Sequence, residues 1–154
     1  LPPSQKSHLQ LPTDLKALPQ ILSWFEQLHQ PQIARKLWLR FQLALAEAFT
    51  NAVRHAHKNQ SPEVPIDIEV TIFEDSIEIR VWDWGPPFDL HKKLSEMLSN
   101  EENDSGGGRG LQLMESITDH LSYTRTADDR NCLLMVKHYG GDSGLSQRSI
   151  TDFN

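Results

Sequence analysis

Two short runs with a period of two constrain this chain more than anything else in it. Ile66, Ile68, Val70 and Ile72 alternate with Asp67, Glu69 and Thr71. After Glu74-Asp75-Ser76, Ile77, Ile79 and Val81 alternate again with Glu78 and Arg80. Successive side chains of a strand point to opposite faces, so each run has one apolar and one polar side. The short polar link between them predicts an antiparallel hairpin. Its apolar face must be covered, and the flanking segments have the right spacing to cover it.

Leu15, Leu18, Ile21, Leu22, Phe25 and Leu28 are spaced for one buried helix face. Thr13 or Asp14 can cap that helix, Pro19 falls where proline is tolerated, and Pro31 ends it. A longer helix is predicted from about Gln32 to about His57. At about 100° per residue, Trp38, Leu45, Phe49, Ala52 and Ala56 form one stripe. Arg40, Leu43, Ala44, Glu47, Asn51 and Arg54 lie opposite, with His55 at the margin.

His8-Leu9-Gln10-Leu11 reads as a short edge strand stopped by Pro12, and residues 58–65 as a loop. Trp82-Asp83-Trp84-Gly85-Pro86-Pro87-Phe88 leaves the middle hairpin as a rigid turn, followed by a short helix from about Asp89 to Leu98. Residues 99–108 form an acidic and then glycine-rich loop, and a helix opens at Arg109 and runs to about Ile117. Leu121–Arg125 and Cys132–Val136 predict a last hairpin, turning around Asp128-Asp129. The expected class is α+β: a two-layer sandwich with a mixed, mostly antiparallel sheet covered on one face by helices. Residues 1–7 are assigned to an N-terminal tail, 8–139 to one domain, and 140–154 to a polar C-terminal tail.

Composition narrows the function. At 154 residues, 38% hydrophobic and 23% charged, the chain fits one globular domain with a real core. Its net charge of −6 and scattered Lys and Arg exclude direct nucleic-acid binding through a basic face. Cys132 is the only cysteine, so no internal disulfide can form; it reads as a small apolar strand residue. No apolar run approaches a membrane span, no signal pattern opens the chain, and a cytoplasmic protein is the expectation.

Three groups of residues suggest chemistry. Glu47 and Asn51 are four apart, so they share one helix face. An amide oxygen suits Mg²⁺, which otherwise prefers water and phosphate oxygens, and a nearby carboxylate can orient or deprotonate a hydroxyl. Asp83 ends a buried strand before Gly85; an ionised Asp accepts only, and an adenine amine donates. Gly106-Gly107-Gly108-Arg109-Gly110 runs into a helix, whose first backbone N–H groups and positive dipole end favour phosphate. It lacks the Gly-Lys-Ser/Thr of a P-loop, and no strand immediately precedes it as a dinucleotide fingerprint requires. Arg109 is the local cation for phosphate. His55 and His57 are two apart, which suits no metal pair, and the four tryptophans read as packing residues.

Taken in order, Glu47-x-x-x-Asn51-Ala52-x-x-His55, Asp83-x-Gly85 and Gly107-Gly108-x-Gly110-Leu111 resemble the ATP-binding (Bergerat-type, GHKL) fold of gyrase B subunits and histidine-kinase catalytic domains. Ala46–His55, Asp83–Asp89 and Gly107–Met114 are more specifically similar to the anti-sigma-factor serine/threonine kinases. The resemblance spans about Leu9 to His138. It implies ATP and Mg as cofactors, with Asn51 on the metal and Glu47 as base or aligner for the acceptor hydroxyl. Asp83 would meet the adenine amine, with Gly85 shaping that pocket and His55 among the nucleotide-binding positions. Gly106, Gly107, Gly108, Arg109, Gly110 and Leu111 would surround the phosphates, and residues 99–107 would form the lid.

The resemblance also implies partners: a small anti-anti-sigma-like acceptor protein, a sigma factor that competes for the kinase, and a homodimer. Related domains carry a Thr near the adenine in the last hairpin. Asn131-Cys132 stands there in this chain, so no role is carried over to it. The alternative reading is a non-catalytic, nucleotide-dependent module that sequesters a regulator; the carboxylate of Glu47 argues for the kinase.

Overall fold

The middle hairpin forms the centre of the sheet. In the computed structural model, which describes residues 3–99 and 107–139, β2 (Ile66–Ile72) and β3 (Ser76–Asp83) pair antiparallel, with Ile68 opposite Val81 and Val70 opposite Ile79. β1 (Gln5–Leu11) lies outside β2, β5 (Asn131–His138) outside β3, and β4 (His120–Arg125) beyond β5. The order is β1-β2-β3-β5-β4, and every pairing is antiparallel. The α+β, two-layer architecture is as expected, without the parallel component that a mixed sheet would have.

Helices α1 (Leu18–Gln27), α2 (Arg35–Asn51), α3 (Leu90–Ser99) and α4 (Gly107–Ile117) complete the fold. Ile66, Ile68, Val70, Ile79, Val81 and Met135 of the strands share one buried core with Ile21, Phe25, Trp38, Phe41, Leu45 and Phe49 of α1 and α2. Phe25 stacks on Trp38 with ring centroids 4.1 Å apart. The alternate strand positions carry polar residues, with Lys6 paired to Glu69, Arg80 to Glu78 two residues away on β3, and Asp67 taking His8 and, from just before β5, Arg130. Among the described residues no helix is long and apolar enough to cross a membrane.

Several boundaries differ from expectation for local reasons. β1 begins at Gln5 rather than His8, because Gln5 pairs with Ile72 and extends the ladder into the expected tail. A 3-10 turn, Leu15–Ala17, precedes α1, and Asp14 caps it by accepting from the Lys16 N–H at 2.9 Å. Thr13, the other candidate cap, is engaged elsewhere. α2 starts at Arg35, and its last turn, Ala52–Ala56, is π-helical, with the His57 N–H donating to the Ala52 carbonyl at 2.9 Å. Such wide turns inside helices are frequent at functional sites. α4 opens at Gly107, two residues before Arg109. Residues 100–106, with Gly106 and nearly all of the expected lid, and the tail 140–154 lie outside the described residues.

Candidate functional site

β3 is paired on both sides and ends at Asp83, whose side chain is only 3% exposed. Its Oδ1 accepts from the Gly85 N–H at 2.8 Å and from Asn131 Nδ2 at 2.9 Å. Its Oδ2 accepts from the Tyr123 hydroxyl at 2.6 Å. A carboxylate has about four acceptor positions, so among the described residues one stays open, on Oδ2. The Asn131 amide also reaches the carbonyls of Gly85 and Pro86, at 3.0 and 3.2 Å. Arg125 donates to the Gly85 carbonyl at 2.9 Å and to Asn131 Oδ1 at 3.2 Å. Burial, then the charge of Asp83 and its hydrogen bond, push the Tyr123 hydroxyl far above the usual tyrosine range, so it remains a donor.

Gly85 is required by close approach. A Cβ there would lie 2.7 Å from the Ala56 carbonyl oxygen and 2.9 Å from the Ala56 Cβ. The turn after β3 thus packs directly on the π-helical end of α2. Gly110, in the first turn of α4, makes the matching approach from the other side. A Cβ on Gly110 would lie 2.7 Å from Glu47 Oε2 and 3.2 Å from Asn51 Nδ2. Glu47 and Asn51 therefore face the same glycine. Asn51 Nδ2 is buried and has no hydrogen-bond partner among the described residues. An unsatisfied buried amide is costly, and a ligand oxygen would satisfy it.

A cavity of about 380 Å³ lies between these elements, within the usual range for small-molecule pockets. Asn51, His55, Asp83 and Leu111, all expected at the site, line it together with apolar Ala48, Ala52, Val81 and Leu133. Glu47, Gly85, Arg109 and Gly110 are not part of the cavity wall. Arg109 is exposed, one residue before Gly110 in the first turn of α4. That turn, which includes Gly107 and Gly108, is where a helix has backbone N–H groups without intrahelical partners. Leu111 contributes a buried side chain to the wall.

Three residues were not recognised from the sequence. Tyr123 and Asn131 grip Asp83 from β4 and β5, and only strand register brings them there. Lys93 on α3 lines the cavity, so Arg109 is not its only nearby cation. Burial first, then the charges of Lys93, Arg54 and Lys58, lower the His55 pKa, which favours a neutral imidazole. Cys132 is a buried strand residue whose thiol burial pushes upward, as its apolar reading requires.

Among the described residues no group of three or more His, Cys, Asp or Glu side chains could hold a metal. A single amide beside a cavity suits an ion that brings most of its ligands as phosphate oxygens and water. Asn51 fits that requirement, since turning its amide over would place the oxygen where the unpartnered nitrogen now lies.

Serine-protein kinase RsbW of Bacillus licheniformis is 39% identical over 85 residues, covering 52% of this chain and 53% of the relative. The protein of the same name from Staphylococcus epidermidis is 36% identical over 86 residues, covering 53% and 54%. The chain thus spans about half the length of the curated relatives it matches. The SiaB–SiaC complex from Pseudomonas aeruginosa contains a similar fold, with a TM-score of 0.59 at 13% identity, covering 86% of this chain and 89% of that one. Residues 11–137 match the model of the histidine kinase-like ATPase domain, and the chain belongs to that family.

Proposed function

We propose that this domain binds a magnesium–adenine nucleotide and transfers its γ-phosphoryl group to a serine or threonine of a small partner protein. One observation carries the reading. A buried carboxylate with a single open acceptor, on Asp83, and a buried amide without a partner, on Asn51, both judged among the described residues, share the walls of one cavity. The first suits the adenine amine and the second a phosphate or its metal. The similarity to the RsbW serine-protein kinases supports the kinase branch.

In this reading Asp83 binds the base, held in place by Tyr123 and Asn131. Asn51 is the protein's ligand to magnesium, which neutralises charge on the phosphates when bound. His55 and Lys93 flank the phosphates in the cavity, while Arg109 and the N–H groups of the glycine turn approach them from α4. Glu47, one turn before Asn51, aligns the acceptor hydroxyl and takes up its proton as the oxygen bonds to the γ-phosphorus and the bond to the bridging oxygen breaks, releasing ADP. Positioning and charge neutralisation supply most of the rate.

The acceptor is an anti-anti-sigma-like protein, and a sigma factor competes with it for the kinase, which acts as a homodimer in the cytoplasm. Glu47→Ala is expected to retain nucleotide affinity and abolish transfer of label from ATP to such an acceptor. Asn51→Ala should lose the magnesium-dependent part of that affinity. Wild-type transfer by Glu47→Ala would overturn the assigned role. Nucleotide binding with no labelling of a cognate acceptor would leave a sequestering module instead.

A further inference from the structure

His57 is 2% exposed and plays no part in the chemistry above. It follows the π-helical turn directly, and its ring bridges two loops. Nδ1 lies 2.7 Å from Thr13 Oγ1, and Nε2 accepts from the Trp84 N–H at 2.7 Å. The Thr13 hydroxyl proton is already committed to the Val64 carbonyl, at 2.5 Å. Thr13 Oγ1 can therefore only accept from the ring, which puts the imidazole proton on Nδ1 and leaves Nε2 as an acceptor. Every atom in this chain of hydrogen bonds has one assignable role.

Trp84 stands between Asp83 and Gly85. Its amide is one of three points among the described residues at which the turn is tied to the end of α2 and the residues just after it, the others being the approach of Gly85 to Ala56 and the Gln60 side-chain amide, which donates to the Trp84 carbonyl at 2.9 Å. We propose that His57 is a positioning residue for the base end of the pocket, holding the Asp83-Trp84-Gly85 turn against α2 only while its Nε2 is unprotonated. The proposal rests on the nucleotide reading above. A proton on Nε2 would set two N–H donors against each other at 2.7 Å and leave the Trp84 amide without an acceptor.

Thr13 brings an uncharged hydroxyl to the ring, itself donating to the Val64 carbonyl, and Trp84 contributes its backbone amide. The charged group acting on it is Asp83 at the end of β3, which favours the protonated form; burial outweighs it and lowers the pKa. A nucleotide that needs the turn intact binds the neutral form in preference. Its affinity then falls as the pH drops through the range in which His57 gains a proton.

The test is the affinity of the full chain for ADP between about pH 8 and pH 5.5, for wild type, His57→Ala and His57→Gln. Glutamine can place an amide oxygen near the position of Nε2 but does not titrate. At pH 8, His57→Ala is expected to weaken ADP binding about tenfold and His57→Gln to restore most of it, a coupling of ordinary size. Wild type should then lose affinity toward pH 5.5 relative to His57→Gln, a ratio that cancels the titration of the ADP phosphates. Parallel profiles for the two, or a folded His57→Ala that binds ADP like wild type, would overturn the proposal. A wild type that binds no ADP at pH 8 would defeat the nucleotide reading itself. Nitrogen NMR of the ring decides the hydrogen-bond assignment without any nucleotide: the Nδ1–H form supports the proposal and the Nε2–H form overturns it.

Discussion

Asn131 and Asp83 are 48 residues apart in sequence and directly opposite each other in the β3–β5 ladder, where the amide nitrogen lies 2.9 Å from Oδ1 of the carboxylate. Asn131 is 1% exposed, and the same nitrogen reaches two carbonyls of the turn after β3. One side chain therefore fixes both the carboxylate and the loop that follows it.

Asn131→Ala should strand those acceptors, costing about 1–3 kcal/mol of stability and about tenfold in ADP affinity. Asn131→Thr, which keeps a donor but cannot span both carbonyls, should fall between. Thermal unfolding and calorimetry of ADP binding check both. An alanine variant as stable and as tight as wild type would remove Asn131 from the site.

Two glycines should respond differently to alanine. The Cβ of Gly110→Ala would meet Glu47 Oε2 at 2.7 Å and, less closely, Asn51 Nδ2 at 3.2 Å, both ends of flexible side chains, so the fold survives while the carboxylate moves most. Phosphoryl transfer should then drop at least about tenfold further than ADP affinity, since only transfer needs that carboxylate placed. The Cβ of Gly85→Ala would meet the Ala56 backbone, which cannot move aside, so stability and affinity should fall together. Comparing single-turnover transfer with ADP binding separates the two cases.

Tyr123→Phe leaves Asp83 Oδ2 without its hydroxyl donor and should cost about 1–2 kcal/mol at neutral pH. The alkaline side provides a second check. The folded-state pKa of Tyr123 is raised above its ordinary value of 10.0. Its contribution is therefore complete below that value and is lost as pH rises beyond it, when the unfolded chain releases the proton first. Denaturant titrations should show wild type losing stability above pH 10 more steeply than Tyr123→Phe.

Lys93 lines the same cavity as Asp83, and with its charge beside the phosphates, as the nucleotide reading has it, Lys93→Ala should weaken ATP more than adenosine. A partly solvated cation of this kind contributes about 1 kcal/mol, or about fivefold, less at high salt. Equal losses for ATP and adenosine, or no salt dependence, would place Lys93 away from the phosphates.

What was legible in the sequence was whatever repeats locally. The alternation of Ile66–Ile72 and Ile77–Val81 predicted the centre of the sheet, and the four-residue spacing of Glu47 and Asn51 predicted a shared face. The grip of Tyr123 and Asn131 on Asp83 was not legible, because it depends on which strand lies beside which. Thr13 looked like a helix cap by position, but its hydroxyl is used by Val64 and His57 across the fold. The π-turn leaves no periodic trace, since it inserts one residue into a run that otherwise looks helical.

The placement of Asp83 at the end of a strand paired on both sides divides the pocket mechanically. Displacing the Asp83 carboxylate requires opening β3 against two neighbours at once, an event close in free energy to unfolding the whole domain. The opposite wall, formed by α3 and α4, is held by side-chain packing of Leu90, Leu94, Leu111 and Met114 in the core rather than by strand pairing. Amide exchange should therefore be slowest beneath the carboxylate and faster across the helical wall, where packed side chains rather than paired strands hold the backbone.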